Sequence, residues 1–265
     1  MTRLLSDMIC DIPITLHEYD RQLKLITGST LLEIANHAVA SKEQLPFEKI
    51  NAAVVPVSGG QGIINGFVEA VQAVLAYLGM NAFVTVGYNV DGLAEAMDKG
   101  ANLVFTADDE RFIALNLATG KYVDNAKATA RAYVTALKSA TGGLVGKNVL
   151  VIGLGKVGSS AVADLVAEGA RVAVSDEDLE KLMLLKKHYP VQVFKPGETV
   201  EHIFDASPAK NVILPDWIST KTIVASPGIP LGLTVAALEK LSPSRLIHDP
   251  LQLGVAVMAS MCVCP

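Results

Sequence analysis

Three glycines carry the clearest chemistry in the chain. Gly153, Gly155 and Gly158 stand at G-x-G-x-x-G spacing within Asn148-Val-Leu-Val-Ile-Gly-Leu-Gly-Lys-Val-Gly158. The apolar run Val149 to Ile152 reads as a buried parallel strand. Ser159 to Glu168 reads as a helix closed by Gly169, and Arg171 to Val174 as a second strand with Asp176 at its end. Here Gly153 allows the tight turn, Gly155 lets a pyrophosphate approach the backbone, and Gly158 lets helix and strand pack closely. The helix N-terminus, with Lys156 and Val157, presents free N–H groups to the phosphates. Asp176, about 20 residues on, is placed to accept ribose hydroxyls. It would repel a 2′-phosphate, so NAD is expected rather than NADP. The rival readings are an S-adenosylmethionine site and a purely structural glycine turn.

Two further turns fall at predicted strand ends after this fingerprint. Ser207-Pro208 and Ser226-Pro227-Gly228-Ile229 are either ordinary proline turns or the places where the sheet meets ribose, pyrophosphate and nicotinamide, with Ile229 behind the nicotinamide. Earlier in the chain, Ser58-Gly-Gly-Gln-Gly62 follows a predicted strand, Ala52 to Val57. It lacks the Gly-Lys-Ser/Thr ending of a Walker loop. It is either a flexible turn or a substrate loop offering backbone N–H groups and the Ser58 hydroxyl. Asp108 ends the predicted strand Ala101 to Ala107 and is either an active-site acid or a solvated turn residue. Asp109 is expected to face the other way, as the turn residue. Asp249 shares the ambiguity of Asp108. His202 and His248 are expected to be structural rather than general bases, and no Ser/His/Asp or Cys/His pattern stands out.

The elements needed to hold these residues alternate. Strand, helix, strand, helix, strand from Ala52 to Ala107 predicts a small parallel sheet with ligands at the carboxyl ends of its strands. Thr15-x-x-Glu18 and Thr30-x-x-Glu33 read as capping boxes opening two earlier helices. Leu115 to Asn125 reads as polar and turn-like, and a helix from Ala126 to about Ser139, with Asn125 as its N-cap, links two lobes. The expected class is α/β: a C-terminal Rossmann NAD-binding domain (143–265), a smaller helix-rich α/β N-terminal domain (1–142), and a cleft between them. The apolar helix at about 251–263 is expected to pack back on the N-terminal domain.

Composition narrows the partners. With 265 residues, 51% apolar and 18% charged, the chain has ample core and is not a disordered type. A net charge of −5 and pI near 5.6 give no electrostatic support for nucleic acid or an anionic membrane surface. No apolar run approaches the ~18 residues of a membrane span, and no signal pattern opens the chain. Three cysteines, with Cys262 and Cys264 flanking one residue, suit a reduced cytoplasm. No Cys/His cluster has metal-ligand spacing, so no metal is expected. The oligomeric state stays open, with a homodimer among the candidates.

The motifs also occur in a telling order. Pro56-Val-Ser-Gly-Gly-Gln-Gly-Ile-Ile64, Ala107-Asp-Asp-Glu-Arg-Phe112, Asn116-Leu117, Gly120-Lys121 and Asn125 precede Val-Ile-Gly-Leu-Gly-Lys-Val-Gly, Ser-Pro-Gly-Ile-Pro and Asp249-Pro-Leu-x-Leu-Gly254. In these the chain resembles the pyrrolysine synthase (PylD) family from about Val54 onward. The resemblance implies an NAD-dependent dehydrogenase acting on a small amino-acid-derived substrate, lysine acylated at its ε-nitrogen by 3-methylornithine. The terminal amine carbon is oxidised, ammonia leaves, and ring closure gives pyrrolysine. It implies Asp108, Asn125 and Asp249 as catalytic residues. Ser58, Asn116 and Asn125 would hydrogen-bond the substrate, and Ile63, Ile64 and Phe67 are either the wall around its methylated chain or ordinary core at helical spacing. Two departures stand out: the family carries a serine where Gly59 stands and a glutamate where Asp249 stands. The alternatives are another two-lobe NAD(P) dehydrogenase, dipicolinate-synthase-like or methylenetetrahydrofolate-dehydrogenase-like, and a non-catalytic NAD-sensing module.

Overall fold

A computed structural model describes residues 4–41, 45–197 and 199–264. The chain forms two units: Met1–Arg21 with Thr30–Ala132 and Pro250–Pro265, and Gln22–Ser29 with Tyr133–Asp249.

The first unit begins with helices α1 (Ile12–Thr27, shared with the second unit) and α2 (Leu31–His37). Thr30 and Glu33 form the expected capping box: the threonine hydroxyl accepts the Glu33 N–H at 3.2 Å, and the glutamate accepts the Thr30 N–H at 2.6 Å. The Thr15-x-x-Glu18 box does not form. The buried Ile12 starts α1 a turn earlier, Pro13 sits in the first turn where no N–H partner is needed, and the Thr15 hydroxyl donates to the Asp11 carbonyl at 2.9 Å.

Next come β1 (Asn51–Val55), α3 (Phe67–Tyr77), β2 (Asn81–Val84), α4 (Asn89–Asp98) and β3 (Leu103–Ala107). The three strands are parallel, in the order β2-β1-β3. β1 is buried over four of its five residues, as a central parallel strand must be. The stretch expected to be turn-like instead adds two antiparallel strands, β4 (Phe112–Asn116) and β5 (Tyr122–Asp124), making a sheet β2-β1-β3-β4-β5. Phe112 and Ala114 are buried in β4; so short an alternation is masked by the polar turn beside it.

Helix α5 (Asn125–Thr141) follows. Asp124, not Asn125, closes its N-terminus, its Oδ1 accepting the Ala126 N–H at 2.8 Å.

The second unit contains β6 (Asn148–Ile152), α6 (Lys156–Ala167), β7 (Arg171–Ser175), α7 (Leu179–His188), β8 (Gln192–Val193), β9 (His202–Asp205), β10 (Ile223–Ala225), α8 (Val235–Lys240) and β11 (Leu246–Ile247). All pairs are parallel, in the order β11-β10-β9-β6-β7-β8. Numbered within the unit this is 6-5-4-1-2-3, the Rossmann order read from its far side. One face packs Leu150, Ile152, Ile203, Ile213, Val224 and Leu233 into a core.

The last helix, α9 (Gln252–Val263), belongs to the first unit and packs on α2, α3, β4 and β5. Leu253, Val255, Val257 and Met258 are fully buried there, as a helix apolar all round requires. Among the described residues no helix is long and apolar enough to cross a membrane.

Candidate functional site

In the second unit the glycine run sits where β6 turns into α6, and its three glycines answer to three different constraints. Gly153 has φ +82°, and a Cβ there would stand 2.8 Å from the Ser207 backbone. A Cβ on Gly158 would stand 1.8 Å from the Gly153 carbonyl oxygen. Nothing lies within 4 Å of a Cβ placed on Gly155, so the space in front of the α6 N-terminus is open. The first amides of α6, from Lys156, Val157 and Gly158, have no intrahelical partner and suit an anion.

Asp176, just past β7, is tied to this turn. Its Oδ2 accepts the Leu154 N–H at 2.5 Å and its Oδ1 the Asp178 N–H at 2.8 Å. A carboxylate has about four acceptor positions, so two hydroxyls can still be taken. Open space at Gly155, unpaired helix amides and a fixed acceptor beyond them fit a dinucleotide.

The two proline turns meet through backbone. A Cβ on Gly228 would stand 2.5 Å from the Ser207 carbonyl oxygen. Pro208 is exposed, while Pro227 and Ile229 are half-buried. The Ser207 Oγ accepts the Ala209 N–H at 3.4 Å. Ser226 departs from expectation: it is fully buried, and its hydroxyl donates to the Asp205 carboxylate at 3.2 Å, so it faces the interior rather than a ligand. Asp205, the last residue of β9, carries no sequence signal beyond an acid ending an apolar strand. The His202 and His248 rings each meet a backbone carbonyl through Nδ1, Asn148 at 2.9 Å and Ser226 at 2.7 Å.

In the first unit, strand register decides which residues share an edge. Val55 pairs with Thr106, so the Ser58 loop and Asp108 leave the same end of the sheet. Ala107 pairs with Phe112 and Ile113 with Asp124, which brings Asn125 to that end too. Asn116 pairs with Leu103, four residues down β3 and about 13 Å away. Its amide is also engaged: Nδ2 donates to the Cys262 carbonyl at 3.0 Å, and Oδ1 accepts the Ala118 and Thr119 amides at 3.0 and 3.1 Å. Asn116 therefore locks the β4 end to α9 and does not join the other candidates, contrary to expectation.

The turn part expected of Asp109 falls to Asp108, which also lines a cavity. Asp108 is the turn acceptor, its Oδ1 taking the Glu110 and Arg111 amides at 2.8 and 2.7 Å. The Arg111 amide, then the Glu110 amide, hold its carboxyl below the usual carboxylate range. Asp109 instead reaches the glycine loop, its Oδ2 accepting the Gln61 N–H at 2.7 Å. Gly60, at φ +66°, is needed there because a Cβ would fall 1.9 Å from that oxygen. Ser58 is held by Asn89, whose Oδ1 accepts the Ser58 N–H at 3.0 Å and whose Nδ2 donates to the Ser58 Oγ at 2.9 Å. The Ser58 hydroxyl keeps its own hydrogen to donate. Asn89 adopts φ +54°, a conformation asparagine tolerates, and only the fold reveals its part.

A cavity of about 380 Å³ lies along this edge, lined by Val57, Thr106, Ala107, Asp108, Arg111, Ile113 and Tyr122. Arg111 lies on the same cavity, and its charge acts on Asp108. Phe67 packs edge-on against Phe112, ring centroids 5.3 Å apart; Ile64 is half-buried and Ile63 exposed. The Asn125 Oδ1 accepts the Thr129 hydroxyl at 3.3 Å, leaving Nδ2 to donate. Nothing lies within 4 Å of a Cβ on Gly59, whose φ is ordinary. Gly59→Ser should therefore leave the melting temperature unchanged within error; a loss of several degrees would show that the loop is packed.

Asp249 lies in the second unit and is buried. Its carboxylate accepts the Tyr133 hydroxyl at 2.9 Å, and its own N–H donates to that hydroxyl oxygen at 2.8 Å. Burial, then the nearby Asp249 charge, push the Tyr133 phenol well above its ordinary range. The expected catalytic acid is thus placed as a buried partner, and no motif marked Tyr133. Tyr133→Phe removes both hydrogen bonds and should cost about 1–3 kcal/mol in a denaturant titration. Wild-type stability would show that this pair holds nothing.

Comparison with known proteins now adds ancestry. Residues 8–123 match the family described as "Pyrrolysine biosynthesis protein PylD, N-terminal domain". The chain is 33% identical over 245 residues to a pyrrolysine synthase of Methanosarcina acetivorans, covering 92% of each. It is 32% identical over 260 residues to that of Methanosarcina barkeri, covering 97% of each. Among solved structures, shikimate dehydrogenase from Aquifex aeolicus aligns at a TM-score of 0.54 with 18% identity, covering 80% of this chain and 91% of that one. Quinate dehydrogenase from Corynebacterium glutamicum, in complex with NAD, aligns at 0.52 with 13% identity, covering 81% and 93%. The latter two share the fold, so the chain has a dehydrogenase-like fold. By its identity to relatives over nearly the whole length, the chain belongs to the pyrrolysine synthase family.

Proposed function

We propose that the protein is an NAD-dependent dehydrogenase that oxidises the terminal amine of 3-methylornithyl-Nε-lysine, with ammonia loss and ring closure to pyrrolysine. The observation that carries the reading is the Asp108 carboxylate, held ionised on the wall of a largely apolar cavity. Such a group suits an alkyl ammonium. Arg111 on the same cavity adds the opposite charge, which matches an amino-acid-derived substrate bearing both signs.

The bound dinucleotide would supply the hydride acceptor. An ammonium has no lone pair to form a C=N bond, so the amine must lose a proton before oxidation. A carboxylate held below its ordinary range binds the ammonium well and keeps a proton poorly. Asp108 therefore serves to hold and orient the amine, and water carries the proton away. The Ser58 hydroxyl and the Asn125 Nδ2 donate to the substrate's amide and amine groups, while Ile63, Ile64 and Phe67 bound the methylated chain. Once the terminal carbon is oxidised, the substrate's own α-amine attacks it and ammonia leaves. That attack is intramolecular, so the protein need only fold the chain back on itself. Asp176 favours NAD, because its carboxylate accepts ribose hydroxyls and repels a 2′-phosphate.

The test is incubation with NAD and the synthetic dipeptide-like substrate, following NADH absorbance and the product mass. Expected are NADH formation and a product lighter than the substrate by ammonia and two hydrogens. No NADH with that substrate, or equal activity on free ornithine, would overturn the reading.

A further inference from the structure

We propose that Asp205 is the positioning residue of the dinucleotide site, setting affinity for the cofactor without touching it. This rests on the reading of the second unit as the NAD site. Asp205 is completely buried at the carboxyl end of β9, between β6 and β10. Its side chain gathers two donors from two segments. Oδ1 accepts the Ser207 N–H at 3.1 Å, and Oδ2 accepts the Ser226 hydroxyl at 3.2 Å. Gly232 packs directly against the carboxylate. The Asp205 main-chain carbonyl accepts the Gly228 N–H at 2.9 Å. One residue thus pins both proline turns, and Ser207 in turn abuts Gly153 of the glycine run.

The choice of an acid follows from this count of donors. A carboxylate is acceptor on both oxygens, whereas an amide has one acceptor oxygen and must point an NH2 group at one of the two donors. Gly232 shows how close the packing is: a Cβ there would stand 2.3 Å from the Asp205 Oδ2. Burial pushes the Asp205 carboxyl above the usual carboxylate range, and the Ser207 and Ser226 bonds oppose that shift. Losing one of them inside the fold moves the turns rather than exposing them to water.

NADH fluorescence titration of wild type, Asp205→Asn and Ser226→Ala tests this, with melting temperatures and steady-state kinetics on the same samples. Asp205→Asn should weaken NADH binding about tenfold, what one mismatched buried hydrogen bond is worth. Ser226→Ala should weaken it a few-fold. In both, KM for NAD should rise by more than kcat at saturating NAD falls, and KM for the amine substrate should hold. A merely structural role gives the opposite pattern: a lower melting temperature and lower kcat with unchanged NADH affinity. That pattern, or wild-type NADH affinity in both variants, would overturn the proposal. If wild type itself binds no NADH, the NAD reading of the second unit fails, and the proposal with it.

Discussion

Asp108→Asn should lower turnover by about 10²-fold, the cost of an amine no longer held in place, while leaving the fold and NADH binding intact. Asparagine keeps an oxygen where Asp108 Oδ1 accepts the Glu110 and Arg111 amides, so the β3–β4 turn survives and the melting temperature should barely move. What is lost is the negative charge on the cavity wall. KM for the amine substrate should rise together with the fall in kcat, since the same charge binds and orients the ammonium. Near-normal turnover would remove Asp108 from the chemistry. The pH dependence of the wild-type enzyme follows from the same hydrogen bonds. The folded-state pKa of Asp108 is depressed, so its contribution to stability is present above the unfolded carboxylate pKa and is lost only as pH falls through the lower folded value. Near neutral pH Asp108 does not titrate. The rise of kcat/KM toward alkaline pH should therefore track the substrate amine, and Asp108→Asn should lower the profile without moving that limb. A limb that shifts in the variant would make Asp108 the titrating group.

Gly158→Ala and Gly155→Ala should separate fold from ligand, and this is the second large effect. A Cβ on Gly158 falls 1.8 Å from the Gly153 carbonyl oxygen, and backbone must move to admit it. Overpacking of this kind costs about 1–3 kcal/mol or more, and the glycine turn deforms as α6 retreats. Both the melting temperature and NADH affinity should fall. A Cβ on Gly155 meets nothing within 4 Å, and its φ of −71° suits alanine. Gly155→Ala should therefore melt as wild type yet bind NADH at least about tenfold more weakly, because the methyl group takes the space left for the pyrophosphate. Normal NADH binding by Gly155→Ala would show that no phosphate approaches there.

What was legible in the sequence was whatever a local pattern enforces. The apolar run, the glycine spacing and the acid after the second strand foretold the β6–α6–β7 unit, because a tight turn and a close helix–strand approach admit few residue types. The alternation of strands and helices from Ala52 to Ala107 likewise foretold the parallel core of the first unit. Neighbouring acids were not legible. Asp108 and Asp109 differ only in direction, and direction depends on which backbone amides the β3–β4 turn presents.

The glycine run was enough to specify a dinucleotide-type turn, since its constraints lie within a few residues of one another. Tertiary structure decided who joins a site and who merely braces it. Antiparallel pairing of β4 with β3 carried Asn116 to the far edge while returning Asn125 to the near one. Packing paired Asp249 with Tyr133, 116 residues away, and drew Ser226 inward to Asp205, 21 residues away. Those separations are the physical reason. A hydrogen bond between distant segments leaves no spacing to read, and the same residue type serves a ligand or the interior according to which donors the fold brings to it.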